Sequence, residues 1–90
     1  MIRTDAYVQA LTDVAHHDVV YRSPWQPGGD TYIWRVGGLV PADEDAALHT
    51  LEACRYIALV PGLVVDGDIA CRVDLAESGQ RQLIEWGVEL

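Results

Sequence analysis

The sequence predicts a single α+β domain, residues 1–90, in the order helix, β-hairpin, helix, β-hairpin, helix. Three observations predict it. Apolar residues recur at three- and four-residue spacing in the first, middle and last parts of the chain, as one buried helix face requires. Over residues 69–75 they alternate with polar ones, as a half-buried strand requires. Proline and glycine clusters separate these stretches and mark the turns.

Thr4 is suited to cap a first helix, and Asp5 complements its dipole. Ala6, Tyr7, Ala10, Leu11 and Val14 form its core-facing stripe, and His16-His17-Asp18 ends it. The histidine pair reads as a helix terminus rather than a metal site. Residues 19–22 and 31–36 are β-rich and flank SPWQPGGD, so they read as a hairpin with a long tip. Tyr21, Tyr32 and Trp34 can pair across it. Trp25, on the tip, either folds back over the hairpin or stands out as an anchor for a partner.

Gly37-Gly38 breaks the strand, and Pro41 suits the first turn of a second helix over residues 42–54. Asp43, Glu44 and Asp45 read as a solvated first turn, favourable to the dipole. Ala47, Leu48, Leu51 and Cys54 supply the buried stripe, and the other face carries Asp45, His49, Glu52 and Ala53. Asp66-Gly67 is a hairpin-turn signal because both central positions of a type I′ turn need positive φ. Before it, Pro61-Gly62 interrupts an apolar stretch and predicts a bulge or kink. After it, Ile69, Cys71, Val73 and Leu75 alternate with Ala70, Arg72 and Asp74. A closing helix over residues 77–86 has Leu83, Ile84 and Trp86 as anchors.

Composition bounds the function. The chain is half apolar and 22% charged, within the globular range, and 90 residues bury roughly 60–65% of their unfolded surface. No apolar run approaches ~18 residues, so no membrane span is expected. The N-terminus lacks the pattern of a signal peptide, which points to the cytoplasm. Cys54 and Cys71 lack CxxC spacing and read as reduced, buried thiols. With His49 they make too sparse a set for a metal, so neither metal nor cofactor is expected. All six basic residues are Arg, a bias typical of GC-rich bacterial or phage coding. Residues 1–42 hold four acids and three Arg, net −1; residues 43–90 hold ten acids and three Arg, net −7. The second half therefore repels polyanions.

Residues 48–86 contain LHTLEACRYIALV, then DGDIACRVDLAESGQRQLIEW. This resembles the second half of winged-helix domains of MarR-like and related small bacterial or phage regulators. Leu51, Tyr56, Ile57, Val73, Leu75, Gly79, Leu83, Ile84 and Trp86 occupy matching places. Gly79 is expected where the closing helix starts tightly against its neighbours. The sequence departs from the pattern at Ala76, where Thr is usual, and at Arg55, where Gly usually ends the helix. A β-hairpin also stands where the first helix of a helix-turn-helix belongs.

The resemblance implies DNA binding, with helix 42–54 in the major groove and the hairpin beside it as the wing. His49 and Thr50 would then meet bases, and Arg22, Arg35 and Arg72 would converge on one side of a homodimer. The residues themselves favour a different partner. Base reading relies on Arg, Lys, Asn or Gln near the helix N-terminus, and here three acids stand there. The preferred expectation is a non-enzymatic regulatory module that binds a protein, or itself, through Trp25, Tyr32, Trp34, Asp43, Glu44, Asp45 and His49. A DNA-mimicking inhibitor is a variant of it. A sequence-specific DNA-binding regulator is the alternative. No phosphate loop, nucleophile elbow, HExxH or EF-hand pattern suggests an enzyme.

Overall fold

Thr4 caps the first helix as its sequence suggests: its Oγ1 accepts the Tyr7 N–H at 3.2 Å, and α1 runs Asp5–Ala15. The computed structural model describes residues 1–22, 31–65 and 68–90. Trp25 with the rest of the SPWQPGGD stretch, and the Asp66-Gly67 turn, lie outside the described residues. The remaining elements are β1 (Val19–Arg22), β2 (Tyr32–Trp34), α2 (Ala42–Ala53), β3 (Ile57–Val65), β4 (Asp68–Leu75) and α3 (Glu77–Glu85). The fold is α+β.

The four strands form one antiparallel sheet in the order β2-β1-β4-β3. The two hairpins are thus joined edge to edge, with Tyr21 opposite both Tyr32 on β2 and Cys71 on β4. β3 and β4 pair along their length, and the register shifts between Pro61 and Leu63. Proline cannot donate to a ladder and Gly62 sits at φ +106°, so the bulge falls where the sequence expected it.

Residues opposite one another in an antiparallel ladder share a face. One face carries Val19, Tyr21, Tyr32 and Val73, and all three helices cover it. Their side chains meet Leu11 and Val14 of α1, Leu48 and Leu51 of α2, Ile57 of β3 and Leu83 of α3 in one cluster. Leu11, Leu48 and Leu51 are wholly buried, each stabilising the fold by roughly 1.5–3 kcal/mol relative to exposure. The second face carries Val20 opposite Arg72 and Arg22 opposite Ala70.

Several expectations need correction. β2 ends at Trp34 rather than residue 36, because Arg35 to Gly38 turn: Gly37 N–H donates to Trp34 O at 2.9 Å, and Trp34 N–H to Gly38 O at 2.9 Å. Pro41 is the residue before α2, in extended backbone, not within its first turn. Cys54 is exposed, not part of the buried stripe. That stripe runs Glu44, Ala47, Leu48 and Leu51, one turn earlier than expected, and Cys54 lies where the helix ends. Ile84 is 75% exposed, whereas Leu83 is buried and Trp86 packs partly against the core. With only nine residues, α3 offers a narrow buried face, and Ile84 lies beyond it.

All three helices end alike. The residue after the last-turn cap takes the left-handed conformation, and the next N–H reaches back to close the end. In α1 this residue is His17 (φ 59°), in α2 Arg55 (φ 65°) and in α3 Gly87 (φ 71°). The closing bonds are Asp18 N–H to Asp13 O, Tyr56 N–H to Leu51 O and Val88 N–H to Leu83 O. Arg55 thus adopts the geometry that glycine usually supplies.

Candidate functional site

Sequence spacing places Asp45 and His49 four residues apart, and an α-helix brings such a pair onto one face. In α2 the Asp45 Oδ2 lies 3.5 Å from His49 Nε2, and the two side chains are 28% and 42% exposed. The other carboxylate oxygen, Asp45 Oδ1, accepts the Tyr32 N–H at 3.0 Å. Asp45 therefore ties the first turn of α2 to the start of β2. Behind it, the rings of Tyr21 and Tyr32 meet edge to face at 5.0 Å, and His49 meets Tyr32 at 5.0 Å and Tyr21 at 6.3 Å. Burial, followed by the charge of Glu52, holds the Tyr32 hydroxyl above its usual range. It stays a neutral hydrogen-bonding group.

Three of the expected partner-binding residues, Tyr32, Asp45 and His49, are thus brought together where the first hairpin meets α2. Tyr21 completes the group and was missed as a site residue. Its signal was its place beside Tyr32 in the predicted hairpin. Trp34 lies two residues further along β2, opposite Val19, and packs partly against the core. Asp43 is exposed at the start of α2.

Glu44 does not join this surface. It is 5% exposed and turned inward toward Asp13 of α1. The reason is its spacing: positions 44, 47, 48 and 51 form one helical stripe, so Glu44 sits where an apolar side chain is expected. Asp13 occupies the equivalent inward position beside Ala10 and Val14.

The residues named for DNA contact divide between three places. α2 carries His49 and Thr50, the sheet face away from it carries Arg22 and Arg72 together, and the turn after β2 carries Arg35. Thr50 is exposed, but its Oγ1 donates to Ala46 O of its own helix at 3.1 Å. Arg22 and Arg72 lie on the sheet face opposite the one that α2 covers. Arg72 is further engaged by Asp74 through two hydrogen bonds of 2.8 and 2.9 Å. That contact holds the Asp74 carboxyl below its ordinary range. Arg35 is exposed in the turn after β2, its N–H bonded to Asp18 O. Among the described residues, the only other arginine–carboxylate ion pair joins Arg81 to Glu77 at 2.8 Å. A groove of about 790 Å3 lies between the end of α1, β4, α3 and the last residues. It is lined by His17, Arg72, Asp74 and Gln80, with Leu83 and Ile84 among its apolar walls.

Among the described residues no group of three or more His, Cys, Asp or Glu is placed to hold a metal ion, and no helix is long and apolar enough to cross a membrane. Compared with known proteins, the chain matches no family model, no curated protein and no solved structure.

The α2 face accordingly offers carboxylates, one imidazole and buried aromatic edges. Such groups accept hydrogen bonds and attract cationic side chains.

Proposed function

We propose that the chain is a non-enzymatic, winged-helix-like regulatory module that docks a protein partner through the outward face of α2 and the adjoining hairpin. The partner presents a basic surface to it. The observation that carries this reading is the sign of charge on α2. Asp43, Asp45 and Glu52 project from the helix that a winged-helix domain would lay in the major groove, with no arginine among them. Each carboxylate ~4 Å from a phosphate opposes binding by roughly 1 kcal/mol even in water, and the same carboxylates favour a cationic protein surface.

The winged-helix part rests on the β3–β4 hairpin between α2 and α3 and on the close approach at Gly79. A Cβ on Gly79 would meet the backbone oxygen of Tyr56 and stand 2.8 Å from Leu75 Cδ1. That is the tight contact which the resemblance assigns to this glycine. The test has two arms. Anisotropy titrations of labelled duplex DNA at low and moderate salt are expected to show no sub-micromolar binding; such binding with a steep salt slope restores the DNA-binding reading. Affinity capture from the native host is expected to retain a basic protein on the wild-type chain and lose it on Asp43→Lys/Glu52→Lys.

A further inference from the structure

Two carboxyl groups from different helices meet inside the protein. Asp13 on α1 is 8% exposed and Glu44 on α2 is 5% exposed. One oxygen of each, Asp13 Oδ2 and Glu44 Oε2, is fully buried without a hydrogen-bond donor. Gln9 Nε2 donates to the other Asp13 oxygen at 3.0 Å, which leaves Oδ2 as the open acceptor. The Glu44 carboxyl faces Asp13 at close range where α2 packs on α1. Two ionised carboxylates at that range in a dehydrated site repel each other, and each would leave an acceptor unsatisfied. A single proton removes both problems.

We propose that Asp13 and Glu44 hold one proton between them, with Glu44 as the acid donating to Asp13 Oδ2, and that this proton seats the first turn of α2 on α1. Gln9 already fills the other Asp13 oxygen, so Asp13 presents Oδ2 as an acceptor and the proton belongs on the Glu44 side. Burial, the hydrogen bond to Asp13 and the charges of Asp13 and Asp43 together push Glu44 up to about 8. Those two acids are the charged groups that face it, Asp13 from α1 and Asp43 from its own helix. Among the described residues no ion pair brings a cation to either member of the pair.

The consequence has a definite sign. The folded protein keeps a proton that the unfolded chain releases near the ordinary glutamate value of about 4.3. Stability contributed by the pair is therefore complete below that value and is lost as pH rises toward about 8, beyond which it levels off. This holds whether α2 docks a protein or a duplex, so its failure and that of the proposed function are separable.

Carbon-13 NMR of the side-chain carboxyls in the full chain tests it directly. One glutamate is expected to titrate near 8, to vanish from the spectrum in Glu44→Gln, and to shift toward the ordinary range in Asp13→Asn. Titration of every carboxyl below about pH 6 in the wild type sinks the proposal without needing any variant. Thermal unfolding gives the second reading. Between pH 5 and pH 8 the melting temperature of the wild type is expected to fall, while Glu44→Gln, which keeps the shape and an N–H donor for Asp13, stays flat. Equal pH slopes for the two proteins overturn the shared proton.

Discussion

At its C-terminal end α2 is fastened by neutral backbone groups. Tyr56 O accepts the Ala76 N–H at 3.0 Å, Ser78 Oγ donates to Arg55 O at 2.8 Å, and Gly79 lets α3 close down on the same carbonyl. At its N-terminal end the fastenings are carboxyl groups: Glu44 against Asp13, and Asp45 on the Tyr32 N–H. The contrast teaches what each end tolerates. The C-terminal junction has no room for a side chain at Gly79, and its fastenings run to backbone carbonyls. The N-terminal junction answers to charge and protonation. One helix is thus anchored sterically at one end and electrostatically at the other.

The largest expected effect breaks the steric end. Gly79→Val drives a branched side chain into the Tyr56 carbonyl oxygen and Leu75, and backbone cannot move aside as a flexible side chain would. The cost is about 3–4 kcal/mol, at the upper end for overpacking. In a domain of this size that lowers the melting temperature by roughly 15 °C or more. The loss should be the same at pH 5 and pH 8. Wild-type stability in Gly79→Val would show that α3 does not sit tightly on the α2–β3 turn.

The electrostatic end yields a smaller effect. Asp45→Ala leaves the Tyr32 N–H without its acceptor in a residue that is 1% exposed, a cost of about 1–2 kcal/mol. Asp45→Asn keeps an acceptor oxygen and removes only the charge facing His49 and the helix dipole, so it should cost about 0.5 kcal/mol. Chemical denaturation of the pair separates the two contributions. Equal losses would mean that the ion pair, not the hydrogen bond to β2, holds this corner.

This difference also explains what the sequence made legible. Helices, strands and the Pro61 bulge follow from local period and local backbone chemistry, and Gly79 was readable because only a close approach justifies a glycine there. The pairing of β1 with β4, which fuses two hairpins into one sheet, is a long-range choice that no local pattern states. The place of Glu44 among three acids at a helix N-terminus predicts a solvated side chain, because acids favour that end of the dipole. Its 44-47-48-51 spacing carried the opposite message, and the geometry follows the spacing. The site was legible in part: Tyr32, Asp45 and His49 do meet, whereas Arg22 and Arg72 stand across the sheet from α2. Trp25 lies outside the described residues.

The smallest effect sharpens the comparison by isolating backbone strain at the steric end. α2 and α3 end with the same hydrogen-bond pattern, yet α3 uses Gly87 at its left-handed position and α2 uses Arg55. A side chain in that region costs about 1–2 kcal/mol, and Arg55 is exposed and forms no ion pair among the described residues. Arg55→Gly removes the strain but gives the unfolded chain more freedom, which takes back roughly 0.4–1 kcal/mol. The net gain is about 0.5–1 kcal/mol, or a rise of roughly 2–8 °C in melting temperature. The Arg55 carbonyl that Ser78 uses is kept, so the junction itself is undisturbed. Gly87→Ala is the mirror experiment and should lose about 1 kcal/mol at a site where an added Cβ meets nothing within 4 Å. If Arg55→Gly destabilises while Gly87→Ala behaves as expected, the arginine side chain contributes a contact that outweighs its strain.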